Sequence, residues 1–408
     1  MKYRHRTLGL LSLLAVITYL DRVCISVAGP RMQEALHISP AQWGWVTGVF
    51  AFSYGAFEIP SGALGDRIGP RRVLTRIVLW WSAFTSLTGA VSSYALLIVT
   101  RFCFGMGEAG AYPNSSAVIA RWFPAHQRAQ ALGLLWMTSQ LGGAIAPLLV
   151  VPIQVRWGWR ASFWVFGFLG VAWAIVWYWW FRDTPAEKLG VSAKELAEIG
   201  DVPRPAHRGT PWGAVLRSAN LWTIMAMTAC YIYTMYFFQS WFHTYLVKGR
   251  GYDESDLSLS ALPYAVAAVA NAAGGFASDA LVRRLGMKWG RRTIGLVGLG
   301  SSSLFLVAAM LTEQRIPAMI LMALTYGGIC FQQPTVWAVC LDIGRKNAGA
   351  VSGAMNTAGS VGAVVSSVTF GYLVTSYGNY TAPLVPMAVL LFIGAVLWLR
   401  IDATRELA

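Results

Sequence analysis

Apolar runs of spanning length recur from one end of the chain to the other. They lie at 7–29, 43–65, 73–93, 95–120, 130–153 and 160–181, and again at 219–246, 257–280, 291–311, 316–341, 347–375 and 380–399. Each is close to the ~20 residues that an α-helix needs to cross ~30 Å of hydrocarbon. Because lipid offers the backbone no hydrogen bonds, only helices and closed barrels span it, and runs of this length select helices. The expected fold is an all-α membrane protein with twelve transmembrane helices. Charge supports this reading: 12% of residues are charged, about half of what a soluble domain carries.

The polar stretch "FRDTPAEKLGVSAKELAEIGDVPRPAHRGTPWGAVLRS" interrupts the pattern after the sixth run. It predicts an N-terminal six-helix bundle over 1–181, a cytoplasmic linker over 182–218 and a C-terminal six-helix bundle over 219–408. Within the linker, "SAKELAEI" is suited to one short surface helix. The halves echo each other. "GALGDRIGPRR" after the second run aligns with "GGFASDALVRR" after the eighth, matching Gly62 and Asp66 to Gly275 and Asp279. "ALGLLWMTSQLGG" likewise overlays "NAGAVSGAMNTAG", setting Gln140 over Asn356. Such repeats imply two pseudo-symmetric bundles facing a central site. Gly133, Gly142 and Gly143 in the fifth run, and Gly349, Gly353, Gly359 and Gly362 in the eleventh, offer small faces for close helix approach.

A formal charge of +14 would raise nucleic acid as a partner for a soluble chain. Here most Lys and Arg fall on one side of the spans, the bias that sets membrane orientation, so nucleic acid is excluded and both termini are expected in the cytoplasm. The first helix has no convincing cleavage site and is expected to be retained. The five cysteines all lie in runs without metal-ligand spacing and read as small hydrophobes. Trp157, Trp159, Trp177, Trp179 and Trp180 read as interfacial anchors.

Few charges lie inside the runs: Asp21, Glu58 and Glu108 are acidic, Arg22 and Arg101 basic. A buried ion must pair, change protonation or face water. Arg101 and Glu108 are two helical turns apart and share a face. Asp21 and Arg22 are adjacent and point about 100° apart, so one can meet a neighbouring helix while the other faces a cavity. Arginine presents a planar fork suited to carboxylate or phosphate, and a carboxyl in poor dielectric exchanges protons readily. Together these residues suggest anion uptake driven by protons. Tyr54, Gln140, Trp337 and Asn356 are suited to lining the same cavity as hydrogen bonders or ring surfaces. In "GALGDRIGPRR", Gly62, Gly65 and Gly69 permit a tight helix-to-loop turn and Asp66 can cap or pair. Arg67, Arg71 and Arg72 can meet helix C-termini and anionic headgroups. The expected task of Gly62, Asp66, Arg67 and Arg71 is gating.

"GALGDRIGPRR" resembles the loop signature of the major facilitator superfamily, and the two-bundle plan fits that fold over essentially the whole chain. "YLDR", "RFCFGMGEAGAYP" and "GWRASFWVFGFLGVAWAIVWYWWFRDTP" resemble the anion:cation symporter family, which includes galactonate, glucarate and hexuronate permeases. The resemblance implies that Arg22 binds the acid group of the substrate with Tyr54 in the same site. It implies that Asp21 and Glu108 couple protons with Arg101 as their partner, and that Gln140, Trp337 and Asn356 contribute further contacts. "SDALVRRLG" departs from the loop signature in the second half.

With no HExxH, no Walker loop and five dispersed histidines, an enzyme is not expected, and no cofactor is called for. Two equivalent bundles around buried charges suit alternating access better than a pore. The expected function is proton-coupled symport of an organic anion, a sugar acid or similar carboxylate, into a bacterial cell across its inner membrane. The protein is expected to act as a monomer, and the alternative is an organic anion exchanger or exporter.

Overall fold

The computed structural model describes residues 2–200, 217–344 and 348–405, and within its helices the Asp66 side chain is also outside the described residues. All regular elements among the described residues are helical. The first half comprises α1 (Tyr3–Ala35), α2 (Pro40–Ile68), α3 (Pro70–Thr88), α4 (Tyr94–Glu108), α5 (Ala111–Trp122), α6 (Ala125–Trp157), α7 (Trp159–Trp180) and the short linker helix α8 (Ala193–Ile199). The second comprises α9 (Ala219–Ser240), α10 (Ala261–Leu311), α11 (Arg315–Gly344), α12 (Ala348–Tyr377) and α13 (Leu384–Trp398).

Two elements differ instructively from the runs in the sequence. The single run 95–120 is broken between α4 and α5, where Gly110 takes the left-handed conformation at φ 89°. Any side chain at 110 would sit 2.3 Å from Ser61 Oγ, so both the conformation and the space require glycine. Conversely, two predicted spans merge into α10. Its 51 residues would reach about 77 Å if straight, more than twice the hydrocarbon thickness. Gly286 at φ 76° interrupts it, and a Cβ on Gly290 would touch Val282 N at 2.6 Å, so the chain turns back on itself.

The exterior identifies the solvent. Phe168, Trp179, Phe276 and Leu304 are each more than 70% exposed, and seven helices among the described residues are long and apolar enough to cross a membrane. Large rings and leucines on this scale suit lipid, which costs them nothing, rather than water.

The chain forms two compact units, Met1–Cys24 with Phe52–His207, and Ile25–Ala51 with Arg208–Ala408. In the first, α1 and α6 meet closely: a Cβ on Gly142 would fall 2.5 Å from Val16 O. Gly133 has open space instead, so only part of the small-residue face is used. Trp177 is completely buried, stacked between Trp173 and Phe181, and Trp159 is 5% exposed. These two rings are packing residues, which corrects the reading of the whole tryptophan cluster as interfacial; Trp157 and Trp179 are well exposed. In the second unit, the 25–51 segment packs on α12 and on the turn after α9. A Cβ on Gly44 would lie 2.6 Å from Ser367 O, Ser26 bonds His243 at 2.9 Å and Gln33 bonds Thr244 at 3.1 Å. On α12, Gly362 packs on Ala229 O, whereas a Cβ on Gly353 has no neighbour within 4 Å among the described residues.

Linker residues finish two helices of the first unit. Glu195 of α8 accepts the backbone N–H groups of Tyr3 and Arg4 at 3.1 and 2.9 Å, satisfying donors that the first turn of α1 leaves open. Asp183 accepts Arg71 N at 2.8 Å at the start of α3, where Gly69 has φ 87° and Pro70 occupies the first turn. Arg71 in turn donates to Tyr178 O at 2.9 and 2.7 Å, covering a carbonyl at the end of α7. Negative charge at a helix start and positive charge at a helix end both suit the macrodipole. Asp183→Ala is therefore expected to destabilise the protein by about 1 kcal/mol, read as a lower thermal unfolding midpoint in detergent. An unchanged midpoint would mean that the cap contributes nothing.

Candidate functional site

The buried charges of the first unit converge. Arg22 on α1 donates from Nε to Glu108 Oε1 at 2.7 Å, with Glu108 wholly buried at the last residue of α4. The guanidinium lies over the Tyr54 ring of α2, 4.5 Å from its centroid, and 5.8 Å from that of Tyr19. Its side chain is 12% exposed, so the fork is largely but not wholly withdrawn from solvent. Asp21 is 2% exposed, and among the described residues neither of its carboxyl oxygens has a hydrogen-bond partner. Arg101, 3% exposed on α4, stacks over Phe104 at 4.4 Å and lies within electrostatic range of both Asp21 and Glu108. Gln140 on α6 is 2% exposed. Glu58 is half-buried on α2, within electrostatic range of Arg22.

Arg22, Tyr54 and Glu108 are thus in direct contact, with Asp21 and Arg101 beside them. Trp337 on α11 and Asn356 on α12 are half-buried members of the second unit. Of the gating set, Gly62 packs against Pro113, Arg67 is exposed and Arg71 holds the end of α7. The expected role of Asp66 falls outside the described residues. Gly62 and Gly65 lie within α2, so the expected helix-to-loop turn falls at Gly69 alone, and Gly65 has a partner the sequence reading overlooked: a Cβ there would overlap Asn114 Oδ1 at 1.6 Å. Asn114 Nδ2 itself donates to Gly110 O at 2.8 Å.

Sequence reasoning also missed three aromatic residues and a serine. Tyr19 is one turn before Arg22 on α1, and Tyr112 lies four residues beyond Glu108, past the Gly110 break; both tyrosines lie within electrostatic range of Arg22. Trp136 and Ser139 share a face of α6 with Gln140. Tyr112 bonds Ser139 at 2.8 Å and stacks on Trp136 with centroids 4.6 Å apart and planes 1° apart. Helical spacing points from Arg22 to Tyr19 and from Gln140 to Trp136, whereas Tyr112, across the Gly110 break, and its partner Ser139 carry no such signal.

A helical membrane fold with a desolvated arginine–carboxylate pair describes a solute carrier better than a channel or an enzyme. Comparison with known proteins gives the family: the Major Facilitator Superfamily profile matches residues 11–367. The chain belongs to that superfamily and is a multi-pass membrane transporter. It is 35% identical to a probable sulfoacetate transporter of Cupriavidus necator, covering 98% of this chain and 94% of the relative. It is 29% identical to a hexuronate transporter of Bacillus subtilis, covering 91% and 88%, and 29% identical to a D-galactonate transporter of Escherichia coli, covering 96% and 94%. Among solved structures, a bacterial homologue of the human lysosomal transporter Spinster, inward-facing and occupied, superposes with a TM-score of 0.79 at 21% identity, covering 98% and 97%.

The pair makes a testable energetic statement. Removing one partner of a buried pair leaves an uncompensated charge and costs about 3–5 kcal/mol, while removing both costs much less. Arg22→Ala is expected to lower the thermal midpoint sharply, and adding Glu108→Gln to recover most of the loss. A double variant no more stable than Arg22→Ala would mean that the two groups are not energetically coupled.

Proposed function

We propose that this transporter carries an organic anion, a sugar acid or related carboxylate or sulfonate, into a bacterial cell together with one or more protons. The observation that carries the reading is the contact between Arg22 and Glu108. An arriving acid group competes with Glu108 for the guanidinium. Once the anion holds Arg22, Glu108 is left as a buried carboxylate without its cation, and taking up a proton removes that cost. Anion and proton are then loaded together because each makes the other's site favourable. Asp21, whose oxygens have no donor among the described residues, is the second proton-carrying group, with Arg101 biasing both acids. Tyr54 orients the arginine, and Gln140, Trp337 and Asn356 contact the body of the solute.

The relatives support this reading by their substrates, since sulfoacetate, hexuronate and D-galactonate transporters all carry acids. In the same proposal two bundles, 1–181 and 219–408, rock about the site, joined by the linker 182–218. Gly62, Asp66, Arg67 and Arg71 belong to the latch on the cytoplasmic face. Both termini lie inside, in the inner membrane, facing anionic headgroups, and the protein functions as a monomer.

Reconstitution into proteoliposomes tests the scheme. An imposed inward proton gradient should drive accumulation of a carried acid by the parent protein. Arg22→Ala and Arg22→Lys should both lose it, since a point ammonium does not reproduce the fork. Folded Glu108→Gln, which resembles the protonated acid permanently, should retain counterflow but fail to concentrate the acid. Accumulation by Glu108→Gln would remove Glu108 from proton coupling. Flux that requires an internal anion and ignores the proton gradient would identify an exchanger.

A further inference from the structure

A hollow of about 250 Å³ lies between α2, α3 and α4 of the first unit, and neither Arg22 nor Tyr54 lines it. Phe57, Pro60 and Leu64 form one wall, Ile77 and Trp80 a second, and Met106 and Gly107 a third. Pro60, Leu79 and Trp80 are exposed, so the hollow opens to the exterior, where the solvent is lipid. Trp80 is fixed in place: its Nε1 donates to Cys103 O at 2.8 Å, and its ring fills the space a side chain at Gly107 would need. Arg76 also lines the hollow, and a second, more open depression continues past Arg76 and Trp80 to Arg72, Thr75 and Tyr178.

Along α3 this face changes character in order. Arg72 and Arg76, both exposed, lie one turn apart within the first two turns, and Trp80 and Ala83 follow deeper in. Long helical side chains lean toward the N-terminus, which is the direction of Arg72 from Arg76. Among the described residues neither arginine has an ion pair, and the nearby Asp183 already caps α3 through Arg71 N. The adjoining rim is basic as well. Arg71 lies over the Tyr178 ring at 4.5 Å, and Lys188 is held below the ordinary lysine range, first by burial and then by Arg182 and Arg71.

We propose that this face of α3 is a binding site for one anionic phospholipid, its phosphate held by Arg72 and Arg76 and the end of an acyl chain seated in the hollow against Trp80 and Met106. Two guanidinium forks one turn apart suit a phosphate, and like charges at that spacing repel until an anion joins them. The apolar hollow asks for a partner with no polar groups to desolvate. Charge at the helix end with rings further in is the order of a lipid from headgroup to tail. Met106 and Gly107 immediately precede Glu108, so a seated chain braces the segment that carries the buried carboxylate. The site is separate from the Arg22 clamp and stands whether or not that clamp binds an acid.

Native mass spectrometry of the purified full-length protein, titrated with dioleoyl phosphatidylglycerol or dioleoyl phosphatidylcholine, reads the site directly. The parent should bind phosphatidylglycerol about thirtyfold more tightly, each arginine contributing about fivefold. Arg72→Gln combined with Arg76→Gln should abolish that preference and leave phosphatidylcholine binding unchanged. Leu64→Phe, which narrows the hollow, should weaken both lipids several-fold and keep the preference, a split that a merely basic surface would not give; Met106→Phe narrows it from α4 and should act alike. Phosphatidylglycerol should raise the thermal midpoint of the parent but not of the arginine double variant, and midpoints without lipid report whether each variant is folded. Equal affinity for the two lipids, a preference that survives loss of both arginines, displacement of the lipid by inorganic phosphate, or indifference to both Leu64→Phe and Met106→Phe overturns the proposal.

Discussion

A guanidinium and a carboxylate held together away from water set the terms for everything around them. Separately, each is too costly to bury; together they are tolerable only if the contact is short and the surroundings are fixed. The 2.7 Å contact between Arg22 and Glu108 therefore demands that α1 and α4 keep their register, with Tyr54 of α2 bracing the guanidinium. In the proposed scheme the same pair is also the moving part: an interaction that is barely favourable as a pair is easily traded for another pair of the same kind, and an acid solute would offer that trade.

The scaffold meets this demand through close approach at glycines together with side-chain caps on helix ends. At Gly65, Gly110 and Gly142 another part of the chain occupies the space a side chain would need. The helix ends are finished by groups brought from distant sequence, Asp183 at α3 and Glu195 at α1. Such caps satisfy donors and acceptors that a membrane protein has few other means of satisfying.

The helical architecture was legible in the sequence because lipid imposes a length on every apolar run, and the charged members of the site because ions in such runs are rare enough to notice. Asp21, Arg22, Arg101 and Glu108 announce themselves against a greasy background. What was not legible had no such contrast. Tyr19, Tyr112 and Trp136 are three aromatics in a chain with 16 tyrosines and 19 tryptophans; helical phase to Arg22 marks Tyr19 alone, and the Gly110 break removes that signal from Tyr112. The break at Gly110 was hidden because hydropathy continues across it. Trp177 was misread because hydropathy gives the depth of a ring in the membrane but not whether the ring faces lipid or another helix.

Arg22 and Glu108 are 86 residues apart in the chain, and that separation has a temporal meaning. At ~5–20 residues per second, about 4 to 17 seconds of synthesis pass between them. During that interval α1 enters the bilayer with its arginine lacking the carboxylate that will later hold it. Insertion scales charge ~2.5–3.5 kcal/mol for an arginine at the centre of a span, and the leucines of "LGLLSLLAVI" just before it have to outweigh that penalty unaided. The leucine-rich first half of α1 thus serves the nascent chain as much as the finished protein, carrying the Arg22 charge into lipid before its partner exists.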